Sequence, residues 1–445
     1  MNRALLITAL LALSACGPSQ AVKSDPLPQG PTYYQDVAPL LAKNCNGCHV
    51  EGGIAPFALT TPDNAVAYSS AIVTATKSKI MPPWPPGADS PAYAHDRRLS
   101  DDQLAMLETW AAAGAPLGDE KHPAELPAPD VVQLTTVSVE KDIGVDYVPD
   151  TNLRDDYRCF LVDLDAVERK MVTAYEVVPG NRRTVHHVIG YLFSGADKQA
   201  LIDADNASPD RPGWQCFGGP SPEGVNVDPI GVLGGWVPGQ SAVKFQPGTA
   251  KQIDPGNVVV VQVHYNLAGG HDSDRTKLRL TYAQKAAEST LQALYTVPFW
   301  KSDLQIPANG AGVVQERWRT MSEWTGGIFF PDNEAWITSV AGHMHRLGTS
   351  ISLRLVNETG THMLLDIPAW DFHWQGTYQL MEPVQIRPTD TMIIRCTYDN
   401  TAAVRAAQNF VTPMRDVTWG EGTEDEMCLA YGEVVDNNPG PLRLK

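Results

Sequence analysis

The chain has 445 residues, with Lys+Arg 34 against Asp+Glu 51 and a formal net charge of -17. At 43% hydrophobic and 19% charged it is neither a disordered polar chain nor a membrane bundle, and no basic tract offers the phosphate neutralisation that nucleic-acid binding needs. Its length suggests about three domains, each able to bury its own core, and Pro 35 with Gly 36 favours strands joined by many turns.

Met1-Asn2-Arg3 is a short positive start, Ala4 to Leu13 an apolar run, and Leu13-Ser14-Ala15-Cys16 closes it. That run is too short to span as a mature helix and reads as a signal peptide over 1–15. The closing tetrapeptide resembles a bacterial lipobox. This resemblance implies that Cys16 is lipidated and becomes the mature amino terminus, with 16–30 a tether to the lipid membrane. Gly17 after it, rather than Asp, implies the periplasmic face of the outer membrane in a Gram-negative bacterium. Export keeps the other cysteines where disulfides survive.

Tyr33 to Asn44 places apolar residues at helical spacing and then delivers Cys45-Asn46-Gly47-Cys48-His49. A bare C-x-x-C also suits a redox dithiol or half a zinc site. The adjacent histidine makes this the pattern of covalent haem c attachment, with thioethers from Cys45 and Cys48 and the His49 imidazole on iron. The second axial ligand is expected from Met81, presented by the proline-stiffened loop Ile80 to Pro86, and a methionine there raises the haem potential. Met106 shares a helical segment with Leu104, Leu107 and Trp110 and reads as core, while His95 reads as surface. Ser100-Asp101-Asp102-Gln103 predicts a capped terminal helix, ended by Gly114 and Pro116. Residues 31–118 thus resemble a class I cytochrome c, a small all-α domain, followed by a Pro/Ala-rich linker over 119–130.

Beyond it, short alternating runs at 157–162, 171–177, 257–265 and 351–356 predict antiparallel strands in sandwiches. The composition break from Ala283 to Thr290 separates two of them, 131–287 and 288–445. Histidines fall on these strands. His186 and His187 are adjacent, so on a regular strand they face opposite ways and share a metal only if a bulge turns one. His264 ends a strongly hydrophobic strand, where a neutral imidazole needs a partner or a metal. His343 and His345 form H-x-H, which puts both on one strand face. Imidazole sites suit zinc, copper, iron or nickel, and a thioether such as Met427 joining H-x-H favours Cu(I). Asp203, Asp205 and Asp210, and Asp272 with Asp274, complete no calcium-loop pattern and read as solvated turns.

As a set and in this order, HHVIGY, VQVHYN, GHMHRLG and DEMCLAY resemble the copper type II ascorbate-dependent monooxygenases, the peptidylglycine alpha-hydroxylating and dopamine beta-monooxygenase kind, over roughly 150 to 435. The resemblance implies two jelly-roll-like β-sandwich domains, each holding one of two copper ions, with a solvent-filled cleft between them. It implies an electron-transfer copper on His186, His187 and His264, and an oxygen-binding copper on His343, His345 and Met427. Gln262 matches a glutamine near the route between the metals, and read from the strand pattern alone it faces solvent. Tyr431 matches a family tyrosine. It also implies the disulfides Cys159–Cys216 and Cys396–Cys428, one of three pairings that four cysteines permit. The family's peptide-binding arginine and asparagine are replaced by Ala341-Gly342 and Leu429, and Arg346 is expected to point away from H-x-H.

The function so implied is hydroxylation of a C–H bond of a small organic substrate with O2. Electrons would come from an external periplasmic redox protein or small reductant and pass through the fused haem and the three-histidine copper. A non-oxygenating haem/copper electron-transfer or copper-binding lipoprotein is the alternative. Zinc hydrolysis is weaker, because H-x-H lacks the general-base glutamate of H-E-x-x-H.

Overall fold

The computed structural model describes residues 30–51, 55–129, 132, 134–207, 211–217, 219–237, 240–267, 270–327 and 334–442. The expected leader and Cys16 lie outside the described residues. Most helix lies at the amino-terminal end: α1 (Ala38–Asn44), α2 (Pro62–Ala67), α3 (Ser69–Lys77) and α4 (Asp101–Ala112). Ser100 starts α4 with a capping box, its hydroxyl accepting from Gln103 N at 3.2 Å while Gln103 Oε1 accepts from Ser100 N at 2.9 Å. Leu107 and Trp110 on the inner face of α4 pack with Val37, Leu41, Leu59 and Ile72. Met106 joins the edge of that core.

Strand begins at 139. The first unit comprises β1 (Val139–Asp142), β2 (Asp155–Asp163), β3 (Lys170–Val178), β4 (Val185–Phe193), β5 (Trp214–Gln215), β6 (Gly231–Trp236), β7 (Val243–Lys244), β8 (Thr249–Ile253), β9 (Val258–Asn266), β10 (Lys277–Tyr282) and β11 (Gln292–Ala293). One sheet runs β1-β10-β3-β8-β11, with β7 also on β3, and the other β5-β2-β9-β4-β6. Val172, Val177 and Leu280 of the first meet Val188, Val261 and Val263 of the second in one core. The sequence of β9 reads as an unbroken apolar run because both its faces are covered. Val259, Val261 and Val263 face the opposing sheet, and Val258 and Val260 pack with Phe193, Leu201 and Trp214 on the other side.

The second unit comprises β12 (Tyr295–Trp300), β13 (Val313–Thr320), β14 (Ala335–His343), β15 (Gly348–Asn357), β16 (Gly360–Ile367), β17 (Thr377–Ile386), β18 (Thr391–Tyr398) and β19 (Leu429–Val435). Its sheets, β12-β19-β14-β17 and β13-β18-β15-β16, enclose a core of Phe299, Ile337, Val340, Leu353, Leu365 and Ile394. Cys159 bonds to Cys216 and Cys396 to Cys428.

Two boundaries fall elsewhere than composition suggests. Gln292 and Ala293 pair in parallel with Thr249 and Ala250, so the first unit runs past 287. The proline-rich segment after Met81 leaves the helical region and docks on the second unit. Gly87 N donates to Asp366 O at 2.8 Å, Tyr93 Oη to Leu364 O at 2.6 Å, and Ala94 N to Gln379 O at 2.9 Å. Tyr93 belongs to the second unit's core. Among the described residues, no helix is long and apolar enough to cross a membrane.

Candidate metal centres

Pairing of β4 with β9 shifts register between Val185, opposite Tyr265, and His187, opposite His264. His186 is the extra residue, and this irregularity turns both adjacent imidazoles toward His264. The ring centroids of His186 and His187 lie 5.0 and 4.8 Å from that of His264, and one nitrogen from each ring falls within 4.8 Å of the others. Both nitrogens of His186 are buried with no hydrogen-bond partner, an arrangement that costs free energy unless something binds there. Burial first, and the neighbouring imidazoles second, push His186 and His187 well below the usual histidine range, so both are neutral and able to ligate. His264 Nε2 lies 2.8 Å from Asp155 Oδ1 and its Nδ1 3.3 Å from His187 Nδ1. A carboxylate on the far nitrogen is the usual way of fixing the tautomer of a metal-binding histidine. Burial raises the Asp155 carboxyl, but His264 and the Thr423 hydroxyl, donating at 2.8 Å, hold it below its ordinary value.

His343 is the last residue of β14, and His345 lies past the strand end in the following turn. Turn geometry, rather than a shared strand face, therefore brings the rings to 5.1 Å. Each is held through Nδ1: His343 by Gln375 Oε1 at 2.7 Å, His345 by Asp425 O at 3.1 Å. Burial lowers both, His345 to about 3. The turn is pinned by Glu426, fully buried, whose carboxylate accepts from His345 N at 2.9 Å and Leu347 N at 2.5 Å. Burial pushes this carboxyl up to about 8 despite those bonds. Met427 follows it, its carbonyl accepting from Tyr398 Oη at 2.9 Å, beside the Cys396–Cys428 disulfide.

The two sets adjoin across the space between the units. His187 and His343 ring centroids are 6.4 Å apart, and Phe372 of the second unit stacks on His186 at 4.6 Å. The units are tied here by Arg154 with Glu424 at 2.6 Å and by Tyr157 Oη donating to Glu421 O at 2.7 Å. A cavity of about 520 Å³ opens between them, lined by His187, His343, His345, Met427, Gln262 and Tyr431, with Tyr157, Trp236, Trp300 and Trp419 as aromatic wall. Gln262 is 2% exposed and its amide donates to Cys216 O at 3.0 Å, so the solvent-facing reading of this residue is wrong. Asp274 is likewise no solvated turn residue: it is 1% exposed and accepts from Tyr265 Oη at 3.0 Å and Thr276 Oγ1 at 2.8 Å. Arg346 lies over the Phe410 ring at 5.3 Å.

Among the helices, Cys45, Cys48, His49 and Met81 line one apolar crevice of about 210 Å³. The two thiols are not bonded to each other, and burial pushes Cys45 up to about 12, so it is no reactive thiolate. His49 Nδ1 lies 3.0 Å from Phe57 O, which leaves Nε2 for an iron. The residues thus fit the attachment of a haem. His95 lies elsewhere, in a cavity with Trp84 and Trp374.

Sequence reasoning did not single out Asp155, Gln375, or Glu426 as a brace. Each acts through a contact whose partner is remote in sequence, and only Glu426, beside Met427, carried any local signal.

Residues 320–433 match the family model of the copper type II ascorbate-dependent monooxygenase, C-terminal domain. The chain is 23% identical over 360 residues to DBH-like monooxygenase protein 2 of Mus musculus, covering 76% of this chain and 53% of that protein. It is 25% identical over 279 residues to DBH-like monooxygenase protein 1 of Gallus gallus, covering 59% and 41%. The chain thus spans about half the length of the curated relatives it matches. Among solved structures, the infectious bursal disease virus VP2 subviral particle overlays at a TM-score of 0.18, with 12% identity over 65% of this chain and 60% of that one, too remote a likeness to bear on the fold. The chain therefore carries a C-terminal domain like that of the copper type II monooxygenases and is related, at low identity, to DBH-like monooxygenases.

Proposed function

We propose that this protein is a copper-dependent monooxygenase that puts one atom of O2 into a C–H bond of a small organic substrate and releases the other as water, consuming two electrons and two protons. One observation supports this most strongly: the three converging histidines, with both His186 nitrogens orphaned, adjoin the cavity that also exposes His343, His345 and Met427. His186, His187 and His264 would hold an electron-transfer copper, and His343, His345 and Met427 the copper at which O2 reacts. Bound there, copper supplies one-electron redox chemistry and activation of O2, with the thioether favouring the cuprous state.

The chain's own residues do the rest. Asp155 holds the His264 ring, Gln375 and Asp425 hold the H-x-H rings by Nδ1, and Glu426 locks the turn between them. The aromatic wall suits an apolar substrate and keeps bulk water from the reacting carbon. Burial holds the Tyr431 phenol far above its usual range, so it stays protonated as a hydrogen-bond donor to the substrate. Gln262, anchored on Cys216 O, shapes the wall nearest the first centre.

The helical region is read as a cytochrome c-like domain, with haem c bound covalently by Cys45 and Cys48 and axially by His49 and Met81. It would relay electrons from an external periplasmic redox protein or small reductant. The sheet pairs are read as jelly-roll-like copper domains, and the whole as a lipoprotein held through Cys16 at the periplasmic face of the outer membrane.

Metal analysis of gently purified protein, followed by turnover of an apolar substrate panel under 18O2, tests this reading. Copper at both centres with 18O in the product is expected. Zinc in place of copper would overturn it. Copper and haem that exchange electrons while no product carries 18O would assign the chain to non-oxygenating electron transfer.

A further inference from the structure

The strip between β16 and β17 touches three things at once. Trp374 lines the crevice of Cys45, Cys48, His49 and Met81. Its sequence neighbour Gln375 places Oε1 2.7 Å from Nδ1 of His343. Phe372 stacks on His186 with ring centroids 4.6 Å apart. The strip is internally braced, with Trp374 N donating to Asp371 O at 3.0 Å and Gln375 Nε2 to Phe372 O at 2.9 Å. Trp370 Nε1 ties it to His345 O at 3.1 Å. The helical region is held against the same unit by the docked segment around Tyr93.

We propose that Trp374 and Gln375 form the electron conduit from the amino-terminal crevice to the H-x-H centre, arriving through His343. This rests on the reading above, that the crevice carries haem c and that His343, His345 and Met427 carry copper. The step moves one electron: ferrous haem is oxidised to ferric, and the cupric ion of the H-x-H centre is reduced to cuprous, with no bond made or broken. Tunnelling falls off less steeply along covalent and hydrogen bonds than across van der Waals gaps. From the Trp374 ring the path runs through one peptide unit, the Gln375 side chain and a single hydrogen bond to His343. The alternative, to the three-histidine centre, ends in a ring-on-ring contact between Phe372 and His186 with no bond across it. The better-coupled route from the crevice therefore opens on the H-x-H centre, which can take one electron directly while the three-histidine centre supplies the other.

The test uses the full-length protein with haem attached and both centres loaded with Cu(II). Under anaerobic conditions the haem is reduced by a photoexcited flavin, and its reoxidation is followed by absorbance beside freeze-quench EPR of the copper. Gln375→Leu, which removes an outer-shell partner of His343, should slow haem-to-copper transfer on the order of tenfold or more, and Trp374→Leu, which removes the ring at the start of the path, should slow it as well. Trp374→Phe, which keeps an aromatic ring, should retain most of the rate, and Phe372→Leu should stay near wild type. Reduction of the same copper by ascorbate should be unchanged in the Trp374 and Phe372 variants. Gln375→Leu also removes the support of the His343 ring, so it is compared at wild-type copper content, where its haem-to-copper transfer should fall further than its reduction by ascorbate. Normal transfer in Gln375→Leu, or a greater loss in Phe372→Leu, would overturn the route alone. A wild-type protein without a covalent haem band, or whose copper stays cupric, would overturn the underlying reading and the route with it.

Discussion

The three histidines of the first centre come from β4 and β9, two hydrogen-bonded neighbours inside a five-stranded sheet, whereas His343, His345 and Met427 sit where β14 ends and just before β19 begins. At the first centre the backbone ladder does the positioning, with a single register irregularity to turn one ring, and the outer support is one carboxylate on one ring nitrogen. At the second there is no ladder beyond His343, and a buried carboxylate replaces it by collecting the backbone N–H groups of the turn. A centre built in a sheet inherits rigidity from the fold. One built at strand ends depends on a few side chains, and those are its points of failure.

The largest expected effect follows from that dependence. Glu426→Ala leaves His345 N and Leu347 N without an acceptor in a dry interior, a cost of about 2–4 kcal/mol for two stranded donors. Chemical denaturation should show that loss, and metal analysis should show copper missing from the second centre while the first fills normally. Equal loss from both centres would mean that the two are not independently built.

The same contrast separates what could be read in the sequence from what could not. The doubled histidine, the H-x-H pair and the Met427-Cys428 step are local patterns, and the structure gathers His187, His343, His345 and Met427 from them around one cavity. The need for a bulge at His186 was legible too, because two adjacent residues on a regular strand cannot face one way. Asp155 was not, because its importance arises only when β2 lies beside β9 and places it against His264. Gln375 sits 32 residues from His343, and Tyr93 271 residues from its partner Leu364. No periodicity encodes such pairings. The proline-rich segment after Met81 reads as a ligand loop, and its second role as a strap onto another unit is set by long-range packing alone. The same holds for Asp274, whose acidic neighbourhood suggests a solvated turn and whose burial comes from the sheet around it.

An intermediate effect is expected at the first centre. Asp155→Ala removes the group that holds the His264 ring, and outer-shell losses of this kind reduce metal affinity about 10–100-fold. Competition with a copper chelator should show weakened binding at the three-histidine centre only. Thr423 also donates to Asp155, so weakening at H-x-H as well would show that this contact transmits strain between the units and would blur the distinction.

The smallest expected effect tests how the first centre's ladder is itself braced. Asp274 accepts from Tyr265 Oη, and Tyr265 is the strand neighbour of His264, so this carboxylate supports the frame rather than a ligand ring. Burial raises its pKa although four donors oppose the shift, among them Thr276 Oγ1, Asn181 N and Tyr265 Oη. The folded protein thus binds this proton more tightly than the unfolded chain does. The stability it contributes is complete below the unfolded value of about 3.9 and is lost as pH rises through the folded value. Asp274→Asn carries no such proton, and every other group titrates alike in the two proteins. Measured by urea denaturation at pH 7 and again near pH 4, the wild type should therefore gain on the variant as the medium is acidified. If it instead loses ground on acidification, the carboxylate is stabilised in its charged form by its donors. The brace behind the first centre would then be electrostatic like Asp155, instead of a buried group that the sheet holds against its own desolvation.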